Sequence, residues 1–321
     1  MSLKLVSVII PAYNAEHTLE KAVTSAASQT YENLEILVVN DGSTDGTLAL
    51  AERLAGKDSR IRVLDRKNGG VSRARNEGLL AAAGEDITFL DADDWMEPSM
   101  IRTLEEVKEE QQADIAGCGF TGGKAPGSGK ITLRTGADIV REGILKSDTR
   151  VWSKVFSRRC IGTAAFREGL TIGEDMLFLL DVIRENTRYA ALDSALYGYE
   201  ENPAGAMEKP FVRSYLDQVT CWDLAEKKIG EKFPELLKEQ DTRCKLLAIQ
   251  AVSAMLTAAK LAKLSRKERS RYEAEIRTLS AYVKTRWDEK AVRPFLPAGY
   301  GAKIRLFLAA PGLYFGAMSR R

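Results

Sequence analysis

The sequence predicts an α/β fold: a mostly parallel β-sheet flanked by helices, with a C-terminal helical extension. Two observations support this prediction. Runs of β-branched and aliphatic residues alternate with segments of helical periodicity from Val6 to Phe120, and such repeated β-α units favour parallel strands covered by helices on both faces. From Val212 onward the apolar residues follow helical spacing. The 321 residues, 45% of them hydrophobic, suffice for a large core.

The elements follow one another in a regular order. Strands are predicted at 6–10, 34–40, 61–64, 86–90 and 114–120, and the first four of these runs end at Asn, Asp or Pro. Helices are predicted at 15–29, 46–55, 71–83 and 98–112 from their apolar spacing. Further on, 152–156 is predicted as a short strand or turn, 175–185 as a helix and 190–199 as extended. The tail is expected to be helical at 212–228, 236–262 and 266–285.

Composition excludes several classes of protein. A formal net charge of +2 gives no reason to expect nucleic acid as a partner. The four cysteines form no CxxC pair and the chain has one histidine, so a zinc site is not expected. Scattered cysteines are typical of a reducing compartment. We see no secretory signal and no uninterrupted apolar run of the about 20 residues that span a bilayer. The expected location is therefore cytoplasmic.

Three carboxylates follow the predicted strand at 86–90: Asp91, Asp93 and Asp94. Carboxylates at the end of a buried strand are costly unless a cation lies beside them. Mg²⁺ and Mn²⁺ prefer oxygen ligands and commonly keep waters and substrate phosphates in their coordination shells. The alternative is an acidic N-cap of the next helix. Taken alone, the segment leaves both interpretations open.

The other predicted strands end in polar or Gly-rich loops as well. Tyr13 and Asn14 follow the first strand, Asp41 the second, and the loop Asn68-Gly69-Gly70 the third. Each loop alone is a plausible surface turn. Together they indicate one functional edge, because ligands of open parallel sheets bind beyond the carboxyl ends of the strands.

Six segments in this order closely resemble the nucleotide-sugar domain of family-2 glycosyltransferases. They are VSVIIPAYN (6–14), LVVNDGST (37–44), NGGVSRARNEG (68–78), ITFLDADDW (87–95), WSKVF (152–156) and GEDMLF (173–178). The resemblance implies a GT-A fold, Rossmann-like, in a nucleotide-diphospho-sugar transferase. It also implies a reaction that inverts the anomeric centre, with a donor that is often UDP-linked and with Mn²⁺ or Mg²⁺. It covers residues 6–199 and suggests a GT-A catalytic domain at 1–205, with a nucleotide-sugar part at about 1–120 and an acceptor part at about 121–205. The helical region at 206–321 matches no motif.

By the resemblance, Pro11, Ala12 and Tyr13 line the nucleotide base, with the Tyr13 ring stacked on it. The alternative for Tyr13 is a core ring at a strand end. Asp41 would accept the imide hydrogen of uracil, a donor that thymine shares and for which guanine offers a comparable ring N–H. The alternative for Asp41 is an Asp-Gly turn residue.

The Gly-rich loop and the helix after it would approach the diphosphate. Asn68 and Gly69 allow close backbone approach, and the start of the next helix suits phosphate. Of the two arginines in that helix, we favour Arg75 over Arg73 for the base or diphosphate and expect the other to form an ion pair. Asp91, Ala92 and Asp93 match the family's DxD motif, which makes Asp93 the metal ligand and places Asp91 on the ribose or the metal.

The resemblance also implies a catalytic base. Asp175, in the pair Glu174-Asp175, would take the proton of the acceptor hydroxyl, with Glu174 as an orienting neighbour. The alternative is that both residues simply begin an acidic helix. Lys154 is expected to contact the diphosphate or the acidic cluster.

Two features depart from the family. The loop at 200–206 lacks the basic residue often found there, so a diphosphate contact from this loop is in doubt. Arg286-Trp287 resembles the end of the motif of processive members, but Val283 replaces its Gln, so we expect one sugar to be transferred at a time.

The acceptor expected from the resemblance is a glycan or a lipid-linked glycan of cell-surface polysaccharide synthesis. The basic stretch at 260–271 and the apolar tail at 295–321 predict either peripheral contact with the inner face of the membrane or a helix docked on the domain. A homodimer is left open. The competing class is a catalytically silent nucleotide-sugar binding or scaffolding module. A nucleotidyltransferase would need a Gly-rich basic loop after the first strand, where this chain has Pro11-Ala12-Tyr13-Asn14.

Overall fold

The computed structural model describes residues 3–121, 127–200 and 211–319. By its internal contacts the chain divides into two compact units. The first comprises Met1–Gly143, Asp148–Leu170 and Glu174–Asn202, and the second Ile144–Ser147, Thr171–Gly173 and Pro203–Arg321. The predicted boundary between residues 205 and 206 lies outside the described residues and stays a prediction.

The first unit contains nine strands among its described residues, and they form one mixed sheet. The strands are β1 (Val6–Ala12), β2 (Leu34–Asp41), β3 (Ile61–Arg66), β4 (Asp86–Phe89), β5 (Trp95–Met96), β6 (Ile115–Thr121), β7 (Ile131–Thr135), β8 (Lys154–Ser157) and β9 (Arg188–Gly198). The strand order is β3-β2-β1-β4-β8-β6-β9-β5, with β7 beside β9. The predicted α/β fold is confirmed.

The first four strands run parallel, as predicted, with β1 between β2 and β4. Beyond β4 the sheet is mixed, because β8 inserts antiparallel between β4 and β6. Because β1 lies between β2 and β4, the order of the strands in the sheet reverses at β1. A crevice forms at such a switch point, beyond the carboxyl ends of the strands, and the acidic segment follows β4 at that edge.

Helices cover the sheet of the first unit. They are α1 (Leu19–Ala27), α2 (Thr47–Ala55), α3 (Val71–Ala81), α4 (Met100–Glu110), α5 (Gly136–Glu142), α6 (Arg158–Ile161) and α7 (Glu174–Val182). All residues of β1 and β2 are buried, as their continuous apolar runs require when both faces of a sheet are covered. The core includes Val8, Ile10 and Val38 from these strands and Leu19 and Leu104 from α1 and α4.

The second unit is helical in its described part, as predicted. Its helices are α8 (Asp217–Lys232), α9 (Pro234–Lys238), α10 (Gln240–Ala262), α11 (Arg266–Arg269), α12 (Glu273–Arg286), α13 (Tyr300–Ala309) and α14 (Pro311–Met318). Their core includes Tyr215, Met255, Leu279, Phe307 and Tyr314. By length and composition alone, α10 is apolar enough to cross a membrane, and more than half of its most apolar stretch is buried within the protein.

Candidate functional site

Asp41 organises the loop after β3. It ends β2 and is buried, and its two carboxylate oxygens accept hydrogen bonds from the backbone amides of Gly69 and Gly70, each at 2.8 Å. The Asn68 side chain donates to the Asp41 carbonyl oxygen at 3.0 Å. Gly42 follows with φ +66°, and a Cβ there would lie 2.6 Å from the Asn68 amide nitrogen. The structure therefore brings the predicted residues Asp41, Asn68 and Gly69 together.

The end of β1 presents an aromatic ring. Pro11 and Ala12 are buried, whereas Tyr13 is 53% exposed. The alternative that Tyr13 is a core ring is therefore wrong, since the strand has ended and the backbone turns away from the core. Asn14 fixes this turn: its amide donates to Ser43 Oγ at 3.0 Å, and its side chain accepts from the Thr44 amide at 2.8 Å.

Arg75 occupies the centre of a group of carboxylates. It lies on α3 and is 3% exposed. Its Nη2 donates to Asp91 Oδ1 at 3.0 Å, and its Nη1 donates to Glu174 Oε1 at 3.0 Å and to Asp175 Oδ1 at 2.8 Å. Of the two arginines, one was expected to form an ion pair, and the structure shows that Arg75 does so. Its predicted ligand contact stays a prediction, and Arg73 is the exposed arginine beside Gly69.

The charges of this group alter the pKa values of Arg75 and Asp175. Burial lowers the pKa of Arg75, but Asp175, Asp91 and Glu174 raise it by more, so its net pKa is raised. Burial raises the pKa of Asp175 to about 7; Arg75 opposes this rise, while Glu174 and Asp91 add to it. A carboxylate with such a pKa is suited to general-base catalysis near neutral pH. Glu174 and Asp175 also form the first turn of α7, as the alternative interpretation of this pair requires, while the catalytic role of Asp175 stays a prediction.

The acidic segment is anchored through Tyr197 on β9. The Tyr197 hydroxyl donates to Asp94 Oδ2 at 2.7 Å and accepts from the Asp91 amide at 3.3 Å. Asp94 Oδ1 accepts from the Glu200 amide at 2.9 Å. Burial raises the pKa of Asp94 to about 7. Asp94 does not cap the next helix, which was the alternative for this segment, because β5 intervenes and that helix begins only at Met100.

Asp91 and Asp93 offer oxygen donors at the end of β4. The Asp91 side chain is 28% exposed and Asp93 is partly buried. Within the described residues, no three His, Cys, Asp or Glu side chains are grouped so that they could hold a metal ion. Mg²⁺ in phosphate-handling sites uses one or two carboxylates and completes its shell with phosphate oxygens and waters. These two residues fit that kind of site.

Lys154 forms its hydrogen bonds with Asp148 and Arg150. It is buried, and its Nζ donates to Asp148 Oδ1 at 2.6 Å and to the Arg150 carbonyl oxygen at 2.9 Å. Asp148 also accepts from the Tyr189 hydroxyl at 3.0 Å. The structure thus gives Lys154 an acidic partner in Asp148, which sequence reasoning missed. It also missed Tyr197, because side chains that are distant in sequence leave no local pattern when they meet.

These elements define a GT-A type of nucleotide-sugar fold with a carboxylate-lined edge. A family model described as Glycosyl transferase family 2 matches residues 7–172. The chain therefore belongs to glycosyl transferase family 2, which confirms the resemblance. It is 36% identical over 222 residues to the glycosyltransferase EpsJ of Bacillus subtilis (strain 168), which covers 65% of this chain and 64% of EpsJ.

Solved structures share the fold at low sequence identity. TarS 1-349 of S. aureus in complex with UDP-GlcNAc superposes with a TM-score of 0.72 at 20% identity, over 99% of this chain and 91% of that one. The mannosyltransferase PcManGT of Pyrobaculum calidifontis, in complex with GDP-Man and Mn²⁺, gives a TM-score of 0.60 at 17% identity, over 98% and 86%. Together they show the GT-A fold.

Proposed function

We propose that this protein is a metal-dependent, inverting, non-processive glycosyltransferase. It moves one sugar, of the hexosyl or N-acetylhexosaminyl type, from a nucleoside-diphosphate sugar to a hydroxyl of a glycan or lipid-linked acceptor in cell-surface polysaccharide synthesis. The observation that carries the proposal is that Arg75 joins Asp91, the proposed donor-side carboxylate, to Asp175, the proposed base. Donor and acceptor chemistry must meet within a few ångströms, and these ion pairs hold the two carboxylates at that separation.

The donor is proposed to bind at the edge formed by β1, β2 and the loop after β3. Exposed Tyr13 offers a ring for base stacking. Each Asp41 oxygen accepts one backbone hydrogen bond and keeps a second lone pair, so the carboxylate can also accept from a base N–H. UDP is our preferred donor because this role suits uracil, and TarS was solved with UDP-GlcNAc. PcManGT was solved with GDP-Man, which makes guanine the competing base.

Residues of this chain would bind the metal, act as the catalytic base and orient that base. Asp91 and Asp93 would hold Mn²⁺ or Mg²⁺, which when bound offsets the charge that develops on the departing diphosphate. Asp175, ionised, accepts the proton of the acceptor hydroxyl as its oxygen attacks the anomeric carbon. Arg75 and the Val151 amide, 3.4 Å from Asp175 Oδ2, fix the direction of that carboxylate.

Calorimetric titration of UDP in the presence of Mn²⁺, with GDP as comparison, tests the donor site. We expect wild type to bind UDP, Asp93→Ala to lose the metal-dependent part, and Asp175→Asn to bind UDP normally but transfer no sugar. Absence of UDP and GDP binding to wild type would refute the proposed donor. Binding with no transfer to any acceptor of a glycan panel would favour the silent binding module instead.

A peripheral membrane location is proposed for the second unit. Lys263, Arg266, Lys267 and Arg271 are exposed, and the guanidinium of Arg269 lies 4.7 Å from the Phe315 ring centroid, which places this basic segment beside α14. On α14, Leu313 is 68% exposed. Cations beside an exposed apolar side chain suit the surface of an anionic bilayer.

Co-sedimentation with vesicles tests this location. We expect binding to phosphatidylglycerol vesicles and little to phosphatidylcholine vesicles. Replacement of Lys263, Arg266 and Lys267 by Gln should abolish binding. Replacement of Lys57, Lys67 and Arg159, which are also exposed, changes the net charge equally and should leave it unchanged. If both triple variants lose vesicle binding equally, the binding depends only on net charge, and the proposed membrane-binding face is refuted.

A further inference from the structure

A cluster of aromatic rings lies near the proposed base and has no role in the steps above. Trp152 stacks on Tyr197, with ring centroids 4.6 Å apart, and on Tyr199, at 5.7 Å. Phe120 meets Trp152 edge-on at 5.2 Å and Tyr199 at 6.0 Å. Trp152 and Tyr197 are buried, while Tyr199 is 42% exposed. The cluster therefore holds one accessible ring on a rigid support.

Two hydrogen-bonded links fix this aromatic cluster between the proposed donor and base groups. On one side, the Tyr197 hydroxyl contacts the Asp91 amide. On the other, the amide of Val151, the residue before Trp152, donates to Asp175. When the hydroxyl of an acceptor reaches Asp175, the rest of the acceptor must lie along the protein surface beside Asp175. An aromatic ring on that surface provides an apolar face against which the C–H face of a sugar can pack.

Arg150 adds a positive charge to the cluster. Its guanidinium carbon lies 4.5 Å from the Phe120 ring centroid and 4.8 Å from that of Trp152. Its ion-pair partner is Asp148, at 3.4 Å, which Lys154 also contacts at 2.6 Å. Among the described residues, two cations therefore share one carboxylate. The Arg150 side chain is 29% exposed, so part of its guanidinium can be reached by a ligand.

We propose that Phe120, Trp152, Tyr199 and Arg150 form the acceptor subsite, and that the sugar unit bound there carries a negative charge, as a carboxylate or a phosphate. This inference rests on the proposed function. Tyr199 packs against the sugar ring, and the planar guanidinium of Arg150 binds the two oxygens of the anion, a geometry for which Arg is better suited than Lys.

The test uses matched soluble glycosides with protein saturated with UDP and Mn²⁺. The probes are p-nitrophenyl β-D-glucuronide against p-nitrophenyl β-D-glucoside, and glucose 6-phosphate against glucose, with dissociation constants from NMR titration. In at least one pair, we expect wild type to bind the charged member about tenfold more tightly, and this preference should weaken as salt is added. The pair with the larger preference distinguishes carboxylate from phosphate.

Variants separate the two contributions. Arg150→Gln should remove the preference for the charged probe and leave the affinity for the neutral probe unchanged, while Arg150→Lys should keep part of it. Arg159→Gln, at an exposed arginine of α6, makes the same change of net charge and should behave as wild type. Tyr199→Ala, which removes the 42% exposed ring, should weaken both members of a pair.

The outcomes distinguish this inference from the proposed function. If UDP binds with Mn²⁺ but wild type shows no preference for either charged probe, the charged acceptor subsite is refuted and the donor assignment stands. An equal loss of preference in Arg150→Gln and Arg159→Gln refutes the role of Arg150. If UDP does not bind, the proposed donor site itself fails, and this inference fails with it.

Discussion

The Arg75 guanidinium donates to the Asp175 carboxylate at 2.8 Å. The same guanidinium binds Asp91 through its other terminal nitrogen. One buried cation thus connects α3 and the end of β4, which follow each other in the chain, with the start of α7, which is distant in sequence. This arrangement makes the stability of the first unit and the chemistry of the site depend on the same side chain.

Arg75→Met should strongly destabilise the first unit. The change leaves Asp91, Glu174 and Asp175 without their shared cation in a largely buried position, and removing one partner of a buried ion pair costs about 3–5 kcal/mol. Urea unfolding of the ligand-free protein measures the loss. Arg73→Met, two residues earlier on the same helix at an exposed position, should stay within about 0.5 kcal/mol of wild type. Comparable effects of the two substitutions would contradict the role given to Arg75.

Sugar transfer should decline on the acid side of neutrality. Burial raises the pKa of Asp175 to about 7, against an ordinary value of 3.8, and the proposed base acts only when ionised. We expect kcat/KM at fixed Mn²⁺ to fall about tenfold per pH unit below that pKa. Asp175→Asn should remove activity across the whole range. An activity that stays constant down to pH 5 would show that Asp175 is not the titrating base.

Glu105 should make the protein more stable in mild acid. Lys108 Nζ lies 2.6 Å from Asp86 Oδ2 and 2.8 Å from Glu105 Oε1, and all three residues are buried. Burial raises the pKa of Glu105 to about 7, from an ordinary value of 4.5, although Lys108 opposes the rise. The folded state therefore binds more protons than the unfolded state between these values. The free energy of unfolding should fall as pH rises through this window and level off above it.

Glu105→Gln isolates this contribution, because it leaves the Asp86–Lys108 pair in place. The variant should lose the share of Glu105 in the decline in stability between pH 4.5 and 7, which is at most about 1.4 kcal/mol per pH unit for one group, and should keep the shares of Asp94 and Asp175, whose pKa values burial also raises to about 7. Glu106→Gln, at the adjacent exposed position, should keep the wild-type profile. Identical profiles for the two variants would remove Glu105 as the cause.

Tyr197→Phe should weaken the support of the acidic segment. The change deletes the hydroxyl that donates to Asp94 at 2.7 Å and leaves a buried carboxylate oxygen without its donor, at a cost of about 1–3 kcal/mol. Thermal unfolding measures the cost, and calorimetry should show weaker UDP binding with Mn²⁺. Tyr300→Phe, at a partly buried tyrosine of α13, serves as the control. A stability equal to that of this control would mean that the Tyr197 hydroxyl has no supporting role.

Local sequence was sufficient for much of the fold. The parallel strands β1 to β4 and the helices between them follow from continuous β-branched runs and amphipathic spacing. The β-α alternation also places Tyr13, Asp41, Asn68 and the acidic segment at one edge, because parallel strands share the direction of their carboxyl ends. β8 was predicted only as a short strand or turn, and its antiparallel position inside the sheet depends on pairing with distant β4 and β6.

The sequence by itself determined the α/β class, the family and the edge of the sheet at which the polar loops meet, since each of these follows from periodicity or a contiguous motif. Only the tertiary structure decided that Arg75 pairs with three carboxylates, that Asp94 is held by Tyr197 instead of capping a helix, and that Arg150 lies over the rings of Phe120 and Trp152. The physical reason is common to all three. A buried charge is stabilised by whichever partners the fold brings within hydrogen-bonding or ring-contact distance, and residues distant in sequence carry no local signal of that proximity.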